Sequence, residues 1–200
     1  MAAYTAIAEV SRTLLELLRE EITGREDIVS LDADSVALVD PTEVSDDDGT
    51  RLSVTLFHLE ENASMKNSQP RSPSDPNVDE GSPLVVDLYY LVTAHGGGEA
   101  STAQRVEQQR VLGLALQTFQ DNAILGDEQL ADGLEADGPL TVSLVNQSFG
   151  ERTNRWSTAP ETAFQPSVLY HVSSAVIDSR QREPLTPVTD RETSLDRHDR

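Results

Sequence analysis

Three groups of residues in this 200-residue chain have types that could do chemistry. Gly96-Gly97-Gly98 lies between a strand-like run and a helix-like run, where a phosphate cradle would sit. It lacks the Gly-Lys-Ser/Thr ending of a P-loop, and Ser101 stands in place of the third glycine of a dinucleotide turn. The spacing reads as a flexible turn. Asp46-Asp47-Asp48-Gly49 has the acids of a calcium loop, but Val44 falls at the first ligand position and Thr55 at the twelfth. His58, His95, His171 and His198 are scattered, with no second histidine or carboxylate at zinc-ligand helical spacing. His58 and His171 fall in strand-like runs and read as packed or surface side chains.

The chain has no cysteine, which excludes disulfides and thiolate metal ligands. It has no Gly-x-Ser-x-Gly elbow to present a nucleophile. These residues give no reason to expect an enzyme, a cofactor or a metal. One ligand reading remains, a small-molecule site on the turn at residues 96–98.

Charge narrows the partners. There are 35 acidic residues against 15 basic ones, a net charge of −20, and Lys66 is the single lysine. Such an excess repels itself and weakens the compact state in dilute buffer. At molar salt the Debye length falls to about 3 Å and the repulsion is screened. The acids are spread along the chain, so the expectation is adaptation to a salt-rich setting. A calcium store, a nucleic-acid mimic or a basic partner are the alternatives. Direct nucleic-acid binding, which needs a basic stripe, is not expected.

No run approaches the roughly 18–20 apolar residues of a membrane span. The first twenty-one residues are amphipathic and acidic, unlike a signal peptide, so folding in the cytoplasm is expected.

The elements that must carry any site can be read from periodicity. Ile7, Val10, Leu14, Leu17 and Leu18 make one helical stripe, with Glu9, Arg12, Glu16 and Arg19 largely off it and Thr23-Gly24 as its stop. Residues 35–39 read as a short strand. The acidic turn at 45–49 then leads to a strand over 51–60, and the two strands are expected to form a hairpin. In the second of them Leu52, Val54, Leu56 and His58 are assigned to one face. Residues 61–82 are rich in Ser, Pro, Asn and Asp and read as a long loop, either a partner-binding arm or a solvated connection.

Residues 84–94 are apolar on both faces, as in a central strand covered on both sides. Ser101 and Gln104 make a capping box for a helix to about Phe119, with Leu112, Ala115, Leu116 and Phe119 as its buried stripe. Strands follow at 140–145 and 167–177, with a short polar, helix-like stretch at 151–156 between them. The expected fold is α+β, a mixed and mainly antiparallel sheet with two main helices packed on it. Residues 1–178 form the single domain.

Residues 179–200 are different material. They hold five arginines and five acids, so the body carries the whole negative charge. With three large apolar side chains and two prolines the tail is expected to be disordered alone. It is either a frayed terminus or a segment that orders on an acidic partner.

Several segments together resemble a known family. They are LSVTLFHLEENASMKN, SPLVVDLYYLVTA, the helix VEQQRVLGLALQTFQDN, the stretch GERTNRW and the strand PSVLYHVSSAVID. This pattern, over about residues 4–178, resembles the N-terminal domain of tail-terminator (cap) proteins of contractile injection systems, such as antifeeding prophages and Photorhabdus virulence cassettes. Where the family usually has Arg-Asn, this chain has Lys66-Asn67, which keeps the charge but weakens bidentate hydrogen bonding. The glycine turn and the tail have no clear counterpart.

The resemblance implies a structural protein that forms a ring, a hexamer, on the sheath protein and inner tube protein. It would stop polymerisation and hold the sheath to the tube, assembling in the cytoplasm before joining an injection particle or virion. A head–tail connector of a haloarchaeal tailed virus is the runner-up. Candidate interface residues are Lys66, Asn67, Arg155, Trp156, Arg180 and Arg182. Trp156, the single tryptophan, is either an interface anchor or a core residue.

Overall fold

The computed structural model describes residues 4–25, 31–45, 48–65, 78–96, 100–126, 129–130, 139–146 and 164–184. Helix α1 (Ala6–Thr23) forms where the apolar stripe runs, burying Ala6, Val10, Leu14, Leu18 and Ile22, with Ile7 and Leu17 at its margin. Glu9, expected off the stripe, is buried and takes a 3.0 Å bond from Arg12 Nη1 one turn on. Arg19 Nε and Nη2 donate to Val36 O at 3.1 and 2.9 Å, fastening the helix to the first strand.

The sequence-based hairpin is corrected by the structure. Strand β1 (Val36–Leu38) runs parallel to β2 (Leu52–Glu61), Val36 beside Leu52 and Leu38 beside Val54. Asp40 Oδ1 accepts from Thr42 N at 2.9 Å and turns the chain away directly after β1. The link through residues 39–51 then returns to the start of β1, where Arg51 N donates to Ser35 O at 2.8 Å. A link of about a dozen residues is what a parallel crossover requires. The acidic turn is part of that return. Asp48 accepts from Ser45 N and Thr50 N, and Gly49 at φ 76° takes a left-handed conformation that side chains resist.

The main sheet has the order β1-β2-β4-β7-β6-β5, with β4 (Leu84–Ala94), β5 (Ile124–Leu125), β6 (Leu140–Val145) and β7 (Ser167–Ile177). All pairs except β1–β2 are antiparallel. The sheet is therefore mixed and mainly antiparallel, with β4 inside it as its apolar faces predicted. A register shift between Leu56 and His58 puts two residues of β2 against one step of β4. An extra residue moves all that follow to the other face. His58 consequently pairs with Tyr89 and lies opposite the Leu52–Val54 face to which the alternation assigned it.

Both helices cover the same face. Tyr90 and Tyr170 are cross-strand neighbours there. Ser11 of α1 shares a 2.8 Å hydrogen bond with the Tyr90 hydroxyl. Phe119 of α2 (Thr102–Asp121) meets the Tyr170 ring edge-on at 4.7 Å. The Ser101–Gln104 capping box forms as the sequence indicated. The buried stripe of α2 is rotated from the expected one: Gln108, Val111, Leu114, Ala115, Thr118 and Phe119 are inside, while Leu112 and Leu116 sit at the margin.

The stretch read as a long loop contains β3 (Val78–Glu80), which pairs with β8 (Arg182–Pro184) in a separate two-stranded ribbon. The segment after residue 178, expected to be disordered alone, thus begins with a strand. Residues 185–200 lie outside the described residues, as does the helix-like stretch at 151–156.

Candidate functional site

Four of the six residues singled out as interface candidates, Lys66, Asn67, Arg155 and Trp156, lie outside the described residues. Arg180 is exposed, its guanidinium 5.7 Å from the Tyr4 ring centroid. Arg182 begins β8, opposite Glu80. The structure therefore does not bring these residues together into one described site. Three other places have polar or concave geometry, and they contrast.

The first lies at the end of β4, by the glycine turn. Gln108 reaches from α2 and is only 3% exposed. Its Nε2 donates to Ala94 O at 2.7 Å and to Gln165 Oε1 at 2.6 Å, and its Oε1 accepts from Arg105 Nη1 at 3.3 Å. Beside it, His95 is 7% exposed and shares a 2.8 Å hydrogen bond between Nε2 and Ser53 Oγ. Burial lowers the His95 pKa, against the pull of Asp48. A Cβ on Gly96 would stand 2.9 Å from Gln108 Oε1 and 3.0 Å from its Cδ. The glycine lets Gln108 approach the backbone; Gly97 and Gly98, the rest of the turn read as a ligand site, lie outside the described residues. The knot ties β2, β4, α2 and the entry to β7 together.

A second polar group lies on the sheet face away from the helices. His58, Tyr89, His171 and Ser143 stand side by side across four strands. Tyr89 contacts both imidazoles, at centroid distances of 5.6 and 4.9 Å. It donates to Glu60 Oε1 at 2.7 Å, and this bond, with desolvation, pushes its pKa up to about 12. His171 Nε2 is 3.5 Å from Asp87 Oδ2. The imidazoles are separated by the Tyr89 ring, so they do not converge on one ion. Among the described residues no three His, Asp or Glu side chains are placed to hold a metal.

The open place is at the β6 edge. A groove of about 530 Å³ runs between the second half of α2 and β6, lined by Leu116, Gln117, Phe119, Gln120, Leu144 and Tyr170 among others. Its rim exposes Leu144 (49%). Strand β5 has two residues and pairs only with Leu140 and Thr141. Val142 N donates outward to Ala123 O, so by alternation the backbone N–H and C=O of Leu144 also face outward. Among the described residues no strand meets them.

Sequence reasoning missed Gln108 and this groove. Gln108 was detectable, because it lies three and seven residues before Val111 and Ala115 on the helical period. The groove had no motif to find.

No curated protein matches the sequence. Solved structures share the fold, two of them from contractile injection systems. One is the sheath/tube terminator, in the extended state, of PVC, an extracellular contractile injection system. It aligns at TM-score 0.61 and 15% identity over 96% of this chain. The other is the tube-terminating cap of the anti-feeding prophage, at TM-score 0.58 and 18% identity over 93% of this chain. The chain spans 64% and 60% of the lengths of these two proteins, under two thirds of each. The family model of the Pvc16 N-terminal domain matches residues 9–191, and the chain belongs to that family.

Proposed function

We propose that this chain is a structural terminator that caps the tube and sheath of a contractile injection particle. The observation that carries the reading is the shared fold over 96% of the chain with a protein that is itself a sheath/tube terminator. Terminators act by contact, not turnover. They need stable surfaces and sheet edges that neighbours can use. Here both edge strands, β1 and β5, are shorter than the strands they flank. The chain forms a ring, a hexamer, by head-to-tail contacts that close on themselves. It meets the sheath protein on one side and the inner tube protein on the other. Assembly takes place in the cytoplasm, and the chain leaves as part of the particle.

Deleting the gene tests this. Particles made without the chain should have tubes and sheaths of uncontrolled length, and restoring the chain should restore one length. An unchanged length distribution would remove the reading.

The charge belongs to the same proposal. A net charge of −20 suits a particle component that works at high salt. Thermal melts should rise as salt is raised from about 0.1 M towards about 1 M, where the Debye length shrinks from about 10 Å to about 3 Å. A melting temperature that falls or stays flat would reject salt adaptation.

A further inference from the structure

In a chain with 35 acids, the groove beside β6 is lined by side chains that carry no charge. An uncharged wall lets an apolar segment dock without stripping water from carboxylates, which is costly. The adjacent backbone of Leu144 presents an N–H and a C=O to the outside. These two facts together define what fits: an extended strand that bonds to the edge and lays alternate side chains against Leu116 and Phe119.

We propose that the β6 edge accepts an extended, uncharged strand from a different protein of the particle, beside Leu144 and beyond the end of β5 that starts at Ile124. The proposal rests on the terminator reading. A second copy of this chain is a poor occupant. Its tail carries Pro184 and Pro187 on either side of Leu185, and proline cannot donate to a ladder. Its strand β2 ends in Glu60-Glu61, which would bring carboxylates to a neutral wall.

The chain has no cysteine, so Leu144→Cys supplies a unique thiol at a half-exposed site. A benzophenone maleimide placed there is irradiated in assembled, purified particles, and the cross-linked peptides are mapped by mass spectrometry. Glu107→Cys, at an exposed site near the start of α2, is the control. The proposal expects cross-links to one extended segment of another particle protein, at least about tenfold above the control. Hydrogen exchange on the unsubstituted protein reads the same contact. On assembly the Leu144 amide should slow by at least about tenfold, while those of Ser143 and Val145, which face β7, change little.

Cross-links to a second copy of this chain would overturn the choice of occupant. A chain found at the particle end with a Leu144 amide as fast as in the free protein would overturn the strand docking and leave the terminator reading standing. A chain absent from the particles would remove both.

Discussion

The knot at Gly96 and the groove at Leu144 lie at opposite ends of α2, and they use it differently. At its N-terminal half the helix sends Gln108 into the sheet, where every polar atom of that side chain is bonded. At its C-terminal half it shows Leu116, Gln117 and Gln120 to an open groove beside a strand edge. The first place looks functional in sequence, with a histidine and a glycine run, and is a closed structural joint. The second carries no motif and is the one left open. Chemistry-bearing residue types point to a site only when their bonding capacity is left unspent.

The contrast breaks most sharply at Gln108. Gln108→Ala would strand Ala94 O and Gln165 Oε1 and open a cavity, costing about 3 kcal/mol of unfolding free energy by chemical denaturation. Gly96→Ala overpacks the same spot and should cost about 1–2 kcal/mol. The double variant should lose less than the two losses combined, because removing Gln108 makes room for the new methyl. Full additivity would mean that Gly96 is a glycine for some other reason.

A smaller effect comes from pH. Burial holds the folded His95 pKa below its ordinary 6.5. Above 6.5 neither state carries the proton, and nothing is lost. As pH falls below 6.5 the unfolded chain takes up a proton that the folded chain resists, so stability declines. His95→Gln should flatten this part of the profile, and an unchanged slope would show that another group carries it. The smallest effect is expected at the groove. Leu144→Ser should change stability by less than about 0.5 kcal/mol, because the side chain is half exposed. The same substitution should weaken incorporation into particles. A large stability loss with normal incorporation would make Leu144 a core residue and erase the contrast.

Much of the fold was legible in the sequence, for identifiable reasons. Strands β6 and β7 carry local patterns strong enough to give their bounds, and the Ser101–Gln104 box marks the start of α2 without tertiary help. What failed depended on information from elsewhere in the chain. The β1–β2 pair reads as a hairpin locally, and only the bond from Arg51 to Ser35 shows the return to the start of β1. The β2 bulge is invisible to strict alternation, so His58 was placed on the wrong face. The α2 stripe was misjudged by about one residue because a buried glutamine looks like surface in a sequence. Strands β3 and β8 are three residues each and are defined by their pairing, not by their composition. The groove is legible only as an absence of charge, and only once the sheet order is known.

A terminator must close the end of a contractile particle. Cryo-electron microscopy of purified particles, with density assigned to every component, tests it most directly. A ring of this chain should appear at the terminal end, on the last layer of tube and sheath, with the β6 edge turned toward a neighbouring protein. Density for the chain along the shaft, or particles complete at that end without it, would rule out a terminator.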